Sequence, residues 1–81
     1  MKVITYRIVH DKKYAQQLFI KDGRKIKAKI WIRDDRTCEI DFGGIVYQRN
    51  TLAEALQKVC EWFVSMYEMF GRKVEVKLEY V

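Results

Sequence analysis

His10 and Asp11 are the only histidine–carboxylate pair in this 81-residue sequence, and histidine is the side chain best suited to proton transfer near neutral pH. Adjacent residues in a strand or turn point apart, however, and no nucleophile stands at a recognisable spacing from either one. A small nuclease could be assembled from His10 with Arg7, Lys12 and Lys13, since phosphodiester cleavage needs only an acid–base group and cationic stabilisation. That reading ranks last, because no motif stands behind it. Cys38, Cys60 and His10 lie far apart, in none of the spacings that bind zinc, and Gly43-Gly44 lacks the lysine of a phosphate loop. No metal, no cofactor and no enzymatic activity are expected.

The constellation that rises above this background is basic and aromatic. Lys25, Lys27, Lys29 and Arg33 recur at strand spacing, about 6.6–6.8 Å per step, close to the phosphate repeat of an extended single strand. Trp31 lies among them, and Tyr14 falls opposite it if the two flanking runs pair. Cations for a backbone and π-faces for bases are what sequence-tolerant nucleic-acid binding uses. The charge distribution agrees with this. Residues 1–36 hold 11 Lys and Arg against four Asp, whereas residues 37–81 hold five against seven acidic groups, so the whole +5 excess comes from the first half.

Several elements must position these side chains. Val3–Val9 alternates Ile4, Tyr6 and Ile8 against Thr5 and Arg7, which reads as a strand. Tyr14–Lys21 and Arg24–Arg33 flank Asp22-Gly23, a strong hairpin signal. A two-residue turn there sets Lys21 opposite Arg24, Phe19 opposite Ile26, Gln17 opposite Ala28 and Ala15 opposite Ile30. It predicts a core face of Ala15, Phe19, Ile26, Ala28, Ile30 and Ile32. The outer face then holds Tyr14, Gln16, Leu18 and Ile20 beside Lys25, Lys27, Lys29, Trp31 and Arg33. A three-residue Asp34-Asp35-Arg36 loop turns Cys38, Ile40 and Phe42 of the next strand inward, and it sets Asp41 opposite Lys29 and Glu39 opposite Trp31. Ile45–Gln48 is either a further short strand or a continuation across Gly43-Gly44.

Thr51-Leu52-Ala53-Glu54 has the form of a capping box and opens a helix. Its apolar stripe Leu52, Leu56, Val59, Phe63, Met66 and Phe70 ends at Gly71. Val74, Val76, Leu78 and Tyr80 then alternate with charged residues as a last strand. The expected fold is α+β: one two-layer domain over residues 1–81, with four to five mostly antiparallel strands in β-β-β-β-α-β order and one long amphipathic helix on one face.

A single helix about 10 Å wide covers two or three strands spaced about 4.8 Å apart, which leaves core-face surface over. From this a homodimer is expected, built on Trp62, Met66 and Met69 at the shoulder of the helix. Cys38 and Cys60 both face inward and are read as free, buried thiols, with a bond between them as the alternative. No run is long and apolar enough to span a bilayer, and no signal-peptide core is present, so an intracellular, cytoplasmic location is expected. The 33% content of charged residues, with one Ser and one Asn, leans toward a hot-environment source.

The leading functional expectation is a small dimeric nucleic-acid-binding protein. The alternative is a protein-interaction module, such as a viral or mobile-element factor acting on a host protein. The order of several antiparallel strands before a helix, with a basic-aromatic sheet, resembles the Whirly-type single-stranded-DNA-binding coactivator fold in architecture. The resemblance carries no residue motif, and the strand Val74–Val81 departs from it.

Overall fold

The computed structural model describes all 81 residues. Six strands and one helix follow the order β1 (Lys2–His10), β2 (Gln17–Asp22), β3 (Lys25–Ile32), β4 (Cys38–Asp41), β5 (Val46–Arg49), α1 (Leu52–Met69) and β6 (Val74–Tyr80). They form one sheet in the order β5-β4-β3-β2-β1-β6, antiparallel except where β6 lies parallel to β1. The α+β class is as expected, with one strand more. Ile45–Gln48 supplies that strand: Gly43 and Gly44 take φ +79° and +110°, Asp41 Oδ1 accepts from the Gly44 amide at 2.7 Å, and the chain returns as β5 antiparallel to β4.

The β3–β4 connection follows core burial. Asp34-Asp35-Arg36 forms a three-residue loop closed by the Arg33 amide on the Thr37 carbonyl, with Arg36 at φ +70° in the left-handed position such loops need. Cys38 and Ile40 are thereby buried, and Lys29 faces Asp41 while Trp31 faces Glu39.

The β2–β3 hairpin departs from expectation. Its turn is Gly23-Arg24, with Gly23 at φ +59° in the first central position, where a type II′ turn requires glycine, and Asp22 pairs with Lys25. Continued without interruption, this register would set Ile20 against Lys27. A bulge intervenes instead: Lys21 pairs with Ile26 and Ile20 with Ala28, leaving Lys27 as the extra residue. Leu18 and Ile20 become fully buried beside Ala28 and Ile30, while Phe19 is half-buried on the other face and Ile26 is exposed. Two large aliphatic side chains enter the core in place of Phe19 and Ala15. The hydrophobic gain selects the bulged register over the shorter-range turn rule.

Helix α1 starts where the capping residues place it. Thr51 Oγ1 accepts from the Glu54 amide at 3.2 Å, and the helix ends as the amides of Gly71 and Arg72 close on the carbonyls of Glu68 and Tyr67, a Schellman arrangement with Gly71 at φ +75°. Its buried stripe is Ala55, Val59 and Phe63. The sheet curls around this helix, so that α1 packs against β6 on one side and β4 and β5 on the other, with β3 between. All the strands therefore share one core: Tyr6, Ile8, Leu18, Ile20, Ala28, Ile30, Cys38 and Ile40 are each at most 2% exposed. The core face of β1 to β4 is therefore covered within one copy, which the flat-sheet count of strands under one helix did not foresee. Cys38 and Cys60 are free thiols, and burial pushes both up from the ordinary thiol pKa.

Candidate nucleic-acid interface

Register decides which side chains share the outer face of the sheet. Paired residues point the same way, so the face away from α1 carries Glu39 and Asp41 on β4, Lys29 and Trp31 on β3, Gln17, Phe19 and Lys21 on β2, and Arg7 and Val9 on β1. Phe19 lies directly between Lys29 and Val9, Trp31 lies opposite Gln17, and Lys21 lies opposite Arg7. Tyr14 joins from the segment before β2. Its ring meets Trp31 edge-on, with centroids 6.1 Å apart, and Lys13 Nζ stands 5.3 Å from its centre. The result is an aromatic ridge of Tyr14, Trp31 and Phe19 bordered by Lys29, Lys21 and Arg7, a cationic band that crosses three strands.

The expected site is thus partly kept and partly taken apart. Tyr14, Lys29, Trp31 and Arg33 remain together, and the contact of Tyr14 with Trp31 arises through the loop rather than through the pairing expected for the two. Lys25 and Lys27 leave the face. The partner of Lys25 is Asp22, two residues from buried Ile20 and so on the helix side of the sheet. Bulged Lys27 lines a groove against α1. Four cations in file along β3 therefore do not exist, because a bulge re-aims the residues beyond it. Phe19, Lys21 and Arg7 take their place. The signal for them in the sequence was the alternation of Leu18 and Ile20 with Gln17 and Lys21, which marks an inward and an outward side for β2 without reference to any turn.

The band has carboxylates as cross-strand neighbours but no close ion pairs. Arg33 is the only one of the 16 basic side chains with a carboxylate oxygen within 4 Å, its Nη2 lying 3.3 Å from Glu39 Oε1. Lys29 and Asp41 are cross-strand neighbours without forming an ion pair. Arg7 donates to the Gly23 carbonyl at 2.8 Å, and its neighbour on β6 is Glu79. Two cations directly opposite each other, as Arg7 and Lys21 are, disfavour folding by a few tenths of a kcal/mol, up to about 1. Glu79, the neighbour of Arg7 on its other side, offsets part of that repulsion.

His10 is exposed. The Asp11 carboxylate beside it accepts from the Lys13 amide at 2.8 Å, and no group of three or more His, Cys, Asp or Glu side chains converges anywhere in the fold. Of the residues expected at a dimer interface, Trp62 is half-buried and stacks on Phe42 at 4.5 Å, whereas Met66 and Met69 are exposed. No helix is long and apolar enough to cross a membrane.

One polar contact lies inside the fold. Buried Tyr6 shares a hydrogen bond with Tyr67, the hydroxyls 3.3 Å apart, and desolvation followed by that bond raises the Tyr6 phenol well above its ordinary range. The folded state holds this proton to higher pH than the unfolded chain does. Its contribution is therefore complete below pH of about 10 and declines above that, at up to about 1.4 kcal/mol per pH unit. Melting temperatures of the parent are expected to drop more steeply from pH 10 to 12 than those of Tyr6→Phe, and parallel curves would refute the assignment.

No family model, no curated protein and no solved structure matches the chain. The architectural resemblance drawn from the order of elements thus gains no support from a solved structure.

Proposed function

We propose that the protein binds single-stranded nucleic acid without base readout, through the outer face of its sheet. The observation that carries this reading is the cross-strand band of Lys29, Lys21 and Arg7, free of ion pairs, beside the ridge of exposed Tyr14 and half-buried Trp31 and Phe19. Stacking on aromatic side chains needs bases that are not already stacked in a duplex, which favours a single strand over a double one. The cations supply the backbone contacts. One copy suffices, since the whole band lies on one sheet, and dimerisation through Trp62, Met66 and Met69 is not required.

A labelled oligonucleotide of about 20 nucleotides, followed by fluorescence anisotropy across a salt series, tests the reading. Three to four phosphate contacts are expected to give log K falling against log salt with a slope of about −2 to −3, from roughly −0.7 per contact for single strands. Duplex of the same length is expected to bind more weakly. Absence of salt-sensitive binding at low ionic strength would falsify the proposal.

A further inference from the structure

We infer that the groove beneath the C-terminal half of α1 docks an acidic amphipathic helix from a partner protein, a second binding surface independent of the outer-face reading. The groove holds about 200 Å³ and is walled by Tyr6, Phe63, Met66, Tyr67 and Phe70, with Lys27 as its single charged wall. That volume is below the roughly 300–1,000 Å³ of small-molecule sites, and it suits the anchoring side chains of a larger partner. Next to it, Met66, Met69 and Phe70 stand 39%, 78% and 76% exposed at i, i+3 and i+4, a ridge of apolar surface turned to water at a substantial cost.

The charges around the groove identify the partner. Lys27 lies in it, Lys25 shares its side of the sheet, and Arg72 stands 5.8 Å from the Tyr67 ring at the far lip. Asp22, whose charge acts on Tyr6, and Glu68, which borders the same recess as Arg72 at the helix end, answer them in part. At the helix end the carbonyls of Tyr67 and Glu68 are taken by the amides of Phe70, Gly71 and Arg72, which removes part of the negative charge there. A second copy fits poorly. Glu61 and Glu68 lie on the far side of α1 from Phe70 by helical spacing, so two copies meeting at this ridge would set lysine against lysine. A strand fits poorly too, because Tyr6 and Lys27 belong to β1 and β3, interior strands with no free edge to extend. A helix with leucine or aromatic anchors at i, i+3, i+4 and i+7, flanked by glutamates, satisfies both the apolar walls and the cations.

A labelled peptide of about 18 residues with leucines at those positions and glutamate elsewhere serves as probe, against the same peptide with lysine for glutamate, in about 0.15 M salt. Saturable binding of the acidic peptide is expected, weakened on the order of tenfold or more by Lys27→Glu and by Phe70→Ser. Both positions are exposed, so circular dichroism and melting should stay near the parent. Arg7→Glu/Lys21→Glu should change peptide affinity less than about threefold, which separates failure here from failure of the nucleic-acid reading. Equal binding of the two peptides, indifference to Lys27→Glu, no saturation by about 0.5 mM, or a dimer in sedimentation that Phe70→Ser dissolves would each overturn the inference.

Discussion

Ile20→Lys is expected to leave the chain unfolded at 25 °C, while Phe19→Lys is expected to fold. Ile20 has no exposed surface and is flanked by Ile8 and Ala28 in the middle of the sheet. Replacing it forfeits about 2–3 kcal/mol of burial and places an ammonium where no carboxylate lies, at a further cost of several kcal/mol. Total stability for a domain of this length is roughly 4–12 kcal/mol, so most of it is lost. Phe19 lies on the outer face with its edge in water, and a lysine there keeps its stem against Val9 and its charge in solvent. A loss of about 1 kcal/mol, or roughly 4–8 °C in melting temperature, is expected. Far-ultraviolet circular dichroism with urea titration measures both. The reverse outcome, with Phe19→Lys unfolded and Ile20→Lys intact, would restore the unbulged hairpin.

Arg7→Glu/Lys21→Glu is expected to weaken oligonucleotide binding about 100-fold, and Lys25→Glu/Lys27→Glu by no more than about fivefold. Each pair of reversals changes the net charge by the same amount, from +5 to +1, so a difference between them reports position rather than overall charge. Losing two charge-assisted contacts to phosphate corresponds to about 3 kcal/mol, and about 1.4 kcal/mol is tenfold. Lys25 and Lys27 lie on the helix side, from which they act only through a screened field. Anisotropy titrations at one fixed salt concentration decide the matter. Equal losses in the two pairs would mean that the basic excess attracts nucleic acid diffusely, with no site on the outer face.

Much of the fold was legible because the signals were local. The alternation in Val3–Val9 and Val74–Tyr80, the cap at Thr51, the stop at Gly71 and the inward turn of Cys38 and Ile40 each depend on neighbours within a few residues, and each stands in the structure as read. The β2–β3 register did not yield to that reading. Asp22-Gly23 favours one turn, but Leu18, Ile20, Ala28 and Ile30 favour a pairing that this turn cannot give, and a bulge at Lys27 reconciles the aliphatic residues at the expense of the turn. The candidate site inherits this difference, exchanging Lys25 and Lys27 for Lys21, Phe19 and Arg7.

The sequence by itself determined the class of the fold, the ends of the helix and the placement of the entire basic excess in residues 1–36, since these follow from residue type and short-range spacing. Only the tertiary structure decided which cations stand together and whether any strand lies bare. The bulge sends Lys25 and Lys27 to the helix side, and the curl of the sheet brings β6 and the β4–β5 end onto opposite sides of one helix. Both are set by how strands far apart in the chain share a single hydrophobic core, a collective requirement that no local pattern encodes.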